Sequence, residues 1–250
     1  GEPVSNGLFD PRMGVLDHGK ICPTDGLDKR CGPGYFGQLE LVKPVFHYQF
    51  LDMTLKTKKC YCHRCSAILL DKEDDYQKIK IKEILKLPNR KRWNYYYDKI
   101  CKTKVCYKCG FVQPSKYSKE GLGKIYAEWK ESNNKELLTA ERVQRLFRKI
   151  SKEDCEILGF SEDWCKPDWL ICSVLPVAPP AVRPSIKQSS GQRSEDDITH
   201  KLVDIIKNNN LLKKKLENKN TSNETIMGFV DLLQYHIATL VDNEIPNIVA

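Results

Sequence analysis

No stretch of about 18 apolar residues occurs in the sequence, and residues 1–20 lack the apolar core of a signal peptide. A membrane-spanning helix is thereby excluded, and the chain is expected to be soluble and not secreted by a cleavable signal. No internal repeat is visible. Acidic residues are the minority charge: 33 Asp plus Glu stand against 41 Lys plus Arg, a formal +8 that favours a polyanionic partner such as nucleic acid without proving one. Cysteine, by contrast, is abundant. Eleven in 250 residues is unusual, and in a reducing compartment clustered cysteines mean metal more often than disulfides. At 40% hydrophobic and 30% charged residues, the chain is long enough to bury one sizeable core or two small ones. It starts on Gly1 and ends on Ala250 directly after a helical pattern, which reads as an excised fragment.

Residues 1–37 are rich in Gly, Pro and Asp and read as an ordered loop region carrying Cys22 and Cys31. After Pro44, the spacing of Phe46, Phe50 and Met53 predicts a helix leading into a cysteine cluster. Residues 71–99 are the most basic and aromatic part, with Lys78, Lys80 and Lys82 followed by Arg90, Lys91, Arg92, Trp93 and Tyr95, Tyr96, Tyr97. Basic groups neutralise phosphates and aromatic faces stack on bases, so nucleic-acid contact is one reading of this segment. The other is a charged helical insertion whose aromatics fill its own small core.

Thr139 predicts an N-cap, and Val143, Leu146, Phe147 and Ile150 follow at amphipathic spacing. Ser151-Lys-Glu-Asp154 resembles a capping box that starts a short helix, with Gly159 as its stop. Trp169 to Leu175, closed by Pro176, predicts a buried strand whose partner cannot be identified. From Pro176 to Pro184 the prolines fix a stiff, extended course, and residues 185–194 read as a polar loop. Two helical faces end the chain, one of Ile198, Leu202, Ile205 and Ile206 and one of Ile226, Phe229, Val230, Leu233, Ile237 and Leu240. The Asn and Lys run at 208–223 between them predicts a solvated connection.

Cys62-His-Arg-Cys65 and Cys106-Tyr-Lys-Cys109 are two Cys-x-x-Cys knuckles. Each places two thiolates so that they can share one tetrahedral ion at about 2.3 Å, and two pairs complete the shell of a structural zinc with no open position for chemistry. The separation between the pairs exceeds that of a compact zinc ribbon, so residues 66–105 are expected to form an inserted lobe closed at its base by the metal. Redox activity is disfavoured because neither pair sits between a strand and a helix in a βαβ pattern. Cys60, His63 and Cys101 are neighbours that the spacing does not require as ligands. Cys22 and Cys31, with Asp25 and Tyr35 near them, offer only two soft ligands where stable zinc normally needs four, so they form a weak candidate for a second site. These features alone also fit a freestanding zinc-binding module for nucleic acid or protein, or a purely structural interaction module.

Several segments carry a more specific likeness. Gly7-Leu-Phe-Asp-Pro-Arg-Met-Gly14, Gly34-Tyr-Phe-Gly37 followed by Leu39-Glu-Leu41, Lys43-Pro-Val-Phe-His47 and Cys101-Lys-Thr-Lys104 resemble the clamp of the eukaryotic-type RNA polymerase largest subunit. So do Leu175-Pro-Val-Ala-Pro-Pro-Ala-Val-Arg-Pro-Ser185, Gly191-Gln-Arg-Ser-Glu-Asp-Asp197 and Leu232-Leu-Gln-Tyr-His-Ile-Ala-Thr239 with Asp242 and Asn243, all in family order. The likeness is to the RNA polymerase II type, and the richness in Lys, Asn and Ile fits a divergent member from a large DNA virus.

The resemblance implies an α+β fold, a mainly helical multi-lobed clamp with short strands and a zinc-stabilised head. Its segments would be 1–58, an N-terminal clamp core with a degenerate zinc loop; 59–112, the zinc-closed head; 113–181, core helices and strand; 182–198, the lid; and 199–250, C-terminal clamp helices. Cys62, Cys65, Cys106 and Cys109 match the head's zinc ligands. At the family's other zinc site Cys22 matches the first ligand, Asp25 stands at the second, Cys31 is shifted by one position and Tyr35 replaces a histidine. Arg183, Lys187 and Arg193 fall in the lid, beside separating RNA and template. Partners implied are template DNA, nascent RNA and the second-largest and other polymerase subunits, with no membrane. Location would be nuclear for a cellular protein, and virion or host cytoplasm or nucleus for a viral one. Catalytic aspartates that hold magnesium in the full enzyme lie outside this sequence, so the chain alone is expected to be inactive.

Overall fold

A computed structural model describes residues 3–99, 103–188 and 192–246, with the side chains of 99 and 187 outside that description. In chain order its elements are strand β1 (Gly37–Phe46) and helices α1 (Leu51–Cys60), α2 (Asp75–Lys86) and α3 (Asn89–Lys99). Strands β2 (Lys116–Glu120), β3 (Lys124–Trp129) and β4 (Asn134–Leu138) and helices α4 (Ala140–Phe147) and α5 (Lys152–Ile157) follow. Strand β5 (Ile171–Val177), two-residue strands β6 (Ile186–Lys187) and β7 (Arg193–Ser194), and helices α6 (Asp197–Glu217) and α7 (Asn223–Val241) complete the α+β set. None of the described helices is long and apolar enough to cross a membrane. The chain divides into two compact units, Gly1–Lys43 with Ser173–Ala250, and Pro44–Cys172.

The Pro44–Cys172 unit has a main apolar core, in which Phe46, Leu51, Ile68, Ile84, Tyr96, Val143 and Phe147 are all buried, and a small separate cluster of Cys62, Leu69 and Cys106. α1 starts at Leu51, not directly after Pro44, because residues up to Phe46 extend β1. Proline lacks the N–H a central strand needs but is tolerated in a two-stranded ribbon such as β1–β5. Asp74 caps α2 by accepting from the Gln77 N–H. Tyr96 on α3 is fully buried, and the Trp93 indole N–H lies 3.3 Å from the Thr57 hydroxyl on α1. Trp93, Tyr96 and Tyr97 therefore pack against α1 and not in a core of their own lobe, while Tyr76 stays exposed.

β2, β3 and β4 form an antiparallel meander in which Tyr117 pairs with Ala127 and Ala127 with Glu136. The turns are marked by Gly121 at φ 58° and Asn133 at φ 48°, conformations that favour glycine and asparagine. Thr139 caps α4 and Ser151 caps α5 by accepting from the N–H groups of Arg142 and Asp154, both as expected. Gly159 ends the turn after α5 at φ 82°.

In the other unit, the buried strand expected from Trp169 to Leu175 is β5, shifted to begin at Ile171, and its partner is β1. α6 and α7 pack on each other, burying Leu202, Ile205, Leu233 and Ile237. The expected solvated connection at 208–223 is corrected: α6 continues to Glu217, and Asn208, Asn209 and Leu212 are buried. The Asn209 amide is matched at both ends and Asn208 at its nitrogen, whereas the Asn208 amide oxygen is buried without a hydrogen-bond partner among the described residues. The Asn209 amide donates to the Glu40 carbonyl at 2.9 Å and accepts from the Val42 N–H at 2.9 Å, both on β1, while Asn208 donates to the Phe229 carbonyl at 3.1 Å.

A Cβ placed at Gly159 would collide with the Asn89 carbonyl, whereas one at Gly121 meets nothing within 4 Å. Gly159→Ala is expected to lower stability by about 2–4 kcal/mol and Gly121→Ala by about 1 kcal/mol, since only the former adds a clash to left-handed strain. Urea unfolding of the two variants checks the difference.

Candidate metal centre

Each knuckle is shaped by backbone hydrogen bonds before any ion is considered. The Cys62 N–H bonds the Ala67 carbonyl at 2.8 Å and the Ser66 N–H returns to the Cys62 carbonyl at 3.2 Å. In the second knuckle the Cys106 N–H bonds Phe111 at 3.0 Å and the Gly110 N–H returns at 2.8 Å. Ser66 and Gly110 take φ of 62° and 68°, so each chain reverses at the same step.

The four thiols converge. Cys62 Sγ lies 3.6 Å from Cys109 Sγ and Cys65 Sγ 3.7 Å from Cys106 Sγ, and all four sulfurs lie within 4.8 Å of one another. A tetrahedron of sulfurs at about 2.3 Å from a zinc ion has edges of about 3.8 Å, so the donor set fits such an ion. Cys62 and Cys106 are buried, and Cys65 and Cys109 half-buried. Among the described residues no other group of three or more Cys, His, Asp or Glu side chains converges in this way. Burial pushes the Cys65 thiol up to about 12 and raises Cys106. Burial would raise Cys62 as well, but N–H donors from the backbone of Cys65 and Arg64 and from the Gln113 amide bring it down to about 7. Protons therefore compete with a cation for this site, and binding strengthens as pH rises.

The surroundings hold the first knuckle in place. Gln113 accepts from the His63 N–H at 2.8 Å and donates both to Cys62 Sγ at 3.4 Å and to the Phe111 carbonyl at 2.8 Å, so one side chain ties the two knuckles together. Burial and the nearby Lys58 push the His63 imidazole down to about 4, leaving it neutral at pH 7. The neutral ring lies 3.2 Å from the Tyr117 hydroxyl through Nδ1 and 3.2 Å from Glu136 through Nε2. Glu136, an acceptor, suits Nε2–H with the Tyr117 O–H donating to Nδ1, whereas the Arg142 guanidinium, a donor 3.3 Å from the same Nε2, suits the other tautomer. Tyr117, Ala127 and Glu136 share one row across the meander, and the small Ala127 between them leaves room for the ring. Arg142 pairs with Glu136 and also lies 3.3 Å from His63 Nε2.

Lys58 is fully buried, its ammonium has no hydrogen-bond partner among the described residues, and its Nζ sits 5.7 Å from the Tyr117 ring centre. Burial drives its pKa down to about 7, while negative charge on Cys62 and Cys65 opposes that fall. A buried lysine close to Cys62 and Cys65 suits a thiolate-rich centre, because a divalent ion on four thiolates leaves net negative charge that a protonated amine would balance.

A family model described as RNA polymerase Rpb1, domain 1, matches residues 1–250. The chain belongs to this family. A curated relative, DNA-directed RNA polymerase subunit Rpo1N of the archaeon Methanocaldococcus jannaschii, is 36% identical over 260 residues, an alignment covering 99% of this chain. The chain spans 18% of that relative's length.

For this Rpb1 domain 1 chain, the structure brings together the four expected cysteines and no other expected ligand. Cys60 donates to the Lys56 carbonyl at 3.3 Å within α1, and His63 is committed to the meander. Cys101 lies outside the described residues. Cys22 is buried and Cys31 exposed, and they do not join a metal-sized group.

The three cations expected at the lid do not form one exposed set. Arg183 is 0% exposed, and its guanidinium donates to the carbonyls of Ala178 and Leu8 and lies 4.9 Å from the Phe9 ring centre. Its expected phosphate contact is corrected by this burial: the group fastens the proline-rich base to the N-terminal segment. Arg193 is exposed and pairs with Asp17 at 3.1 Å, at the edge of a 650 Å³ cavity that Lys20 and Glu195 also line. The side chain of Lys187 lies outside the described residues. Gln113, Lys58 and the His63–Glu136–Arg142 relay had no sequence signature, since each acts through a partner distant in the chain.

Purified, reduced protein is expected to carry about one zinc equivalent. Cys106→Ser should lower that content and Cys155→Ser or Cys172→Ser should leave it unchanged, as elemental analysis will read. Gln113→Leu should weaken zinc retention roughly 10-fold in a chelator competition, with tighter retention at pH 8 than at pH 6 for every variant.

Proposed function

We propose that this chain is the N-terminal clamp portion of the largest subunit of a DNA-dependent RNA polymerase of the eukaryotic RNA polymerase II type, and that the protein comes from a large DNA virus. The observation that carries the reading is the family match along the whole chain, and convergence of the four thiols at structural-zinc spacing supports it. Zinc on Cys62, Cys65, Cys106 and Cys109 would close the head, residues 59–112, at its base, with 1–58 and 113–181 as the core segments before and after it. It would contribute folding free energy and no chemistry.

The clamp would close over DNA and the DNA–RNA hybrid, with the second-largest and other subunits as protein partners. Phosphoryl transfer belongs to magnesium-binding aspartates outside these residues, so the chain by itself is inactive. Such a protein would reside in the nucleus if cellular, or in the virion or the host cytoplasm or nucleus if viral.

Residues 182–198 would act as the lid at the upstream end of the hybrid, ahead of the C-terminal clamp helices in 199–250. β6 and β7 pair Ile186 with Ser194 and Lys187 with Arg193, Ser185 donates to Glu195 at 2.9 Å, and Asp196 caps α6. This short hairpin on a fastened base suits a wedge between strands. Lys187 and Arg193 would supply non-sequence-specific phosphate contacts, Arg193 by exchanging Asp17 for phosphate.

Replacing residues 186–194 with a short Gly and Ser linker in an assembled polymerase should leave single-nucleotide addition nearly intact and lengthen the RNA that stays annealed to template. Clean release of transcripts from a single-stranded template by this variant would sink the lid assignment.

A further inference from the structure

The backbone of the two knuckles occurs a third time, at Cys22. The Cys22 N–H bonds the Leu27 carbonyl at 2.9 Å, and the Gly26 N–H returns to the Cys22 carbonyl at 2.8 Å. Gly26 takes φ 72°, as Ser66 and Gly110 take 62° and 68°. An antiparallel bridge between Ile21 and Asp28 flanks the turn, as bridges between Tyr61 and Ile68 and between Val105 and Val112 flank the other two. Superposed by these bonds, Asp25 stands where Cys65 and Cys109 stand.

The side chains do not follow the backbone. The Asp25 carboxylate accepts the Tyr35 phenol O–H at 3.0 Å and the Leu27 N–H at 2.9 Å, and the buried Cys22 thiol lies near it, 3.9 Å from the Arg12 carbonyl. Tyr35 is itself anchored by its N–H to the Met13 carbonyl at 2.9 Å, and Thr24 donates to the Arg12 carbonyl at 2.6 Å. Cys31 is exposed, and its N–H is spent on Asp28. Structural zinc needs four converging ligands, mostly Cys and His; here a carboxylate and a phenol already bond each other, and the second cysteine is exposed and joins no metal-sized group.

We infer that the Cys22 loop is a knuckle whose ion has been replaced by a hydrogen-bonded closure, Tyr35 O–H to Asp25 with Cys22 near it, so that this loop folds without metal. The bond is charge-assisted, since Asp25 is held below the usual carboxylate range, chiefly by the Leu27 N–H, and the phenol of Tyr35 is held above its ordinary value, chiefly by Asp25. The two units then differ in kind. One is closed by thiols that fit an ion, and the other by a link that no chelator can extract.

The test is amide hydrogen exchange on the full chain, read by mass spectrometry beside elemental analysis. A strong chelator should deprotect residues 61–69 and 105–113 and leave residues 21–35 unchanged. Tyr35→Phe should raise exchange in 21–35 about 10-fold at unchanged zinc content, and Asp25→Asn should act in the same direction. Two zinc equivalents in wild type, of which Cys22→Ser removes one, would overturn the inference. So would deprotection of 21–35 by chelator, or a Tyr35→Phe variant that exchanges there as wild type does. Wild type with no zinc but a protected 21–35 would count against the zinc reading of the four thiols alone.

Discussion

Sulfur atoms from residues 41 and 47 positions apart meet within 4.8 Å, and the Pro44–Cys172 unit depends on that meeting. Closing a loop of that length costs chain entropy, and a cross-link that persists in the unfolded ensemble lowers the cost. An ion on the four thiols acts differently, binding only once the site is nearly formed and adding its own free energy to folding. With the base closed, α3 is held against α1, where Trp93 and Tyr96 reach Thr57 and the Cys60 carbonyl. Asp154 at the start of α5 completes the arrangement by accepting from the Ile68 N–H just after the first knuckle and pairing with Lys72 at 2.5 Å. The knuckle, the inserted lobe and the following helices thus share one core.

Features governed by local chemistry were legible in the sequence. Cys-x-x-Cys spacing, the caps at Thr139 and Ser151 and the stop at Gly159 each rest on bonds within a few residues. Features set by distant partners were not. Asn208 and Asn209 look like solvated polar residues until α7 and β1 supply their partners. Arg183 looks like a phosphate ligand until the carbonyls of Leu8 and Ala178 are seen to enclose it. The β2–β3–β4 meander was missed, although its signals are present: alternating Ile125, Ala127 and Trp129, with turn residues at Gly121 and Asn133. Its short strands carry so many charged residues that the period-two pattern is faint.

The two units use opposite means for the same turn. Three reversals share one set of backbone bonds, so the fold of a knuckle is a property of the main chain, and what fills its mouth is a separate choice. Four thiols at this spacing fit a cation, and Lys58 is buried close by. An aspartate and a tyrosine demand only each other. A single chain can therefore carry the same turn in a form that fits a metal and in a self-sufficient one.

Asn209 has a consequence beyond stability. Its amide occupies the Glu40 carbonyl and the Val42 N–H of β1, a donor and an acceptor two residues apart on one side of a strand. In a sheet of only two strands such a pair is what an incoming chain would seek, and an open edge of this kind is a template for intermolecular pairing. By placing a side chain where another backbone would dock, α6 takes these two groups of β1 out of reach of an incoming strand.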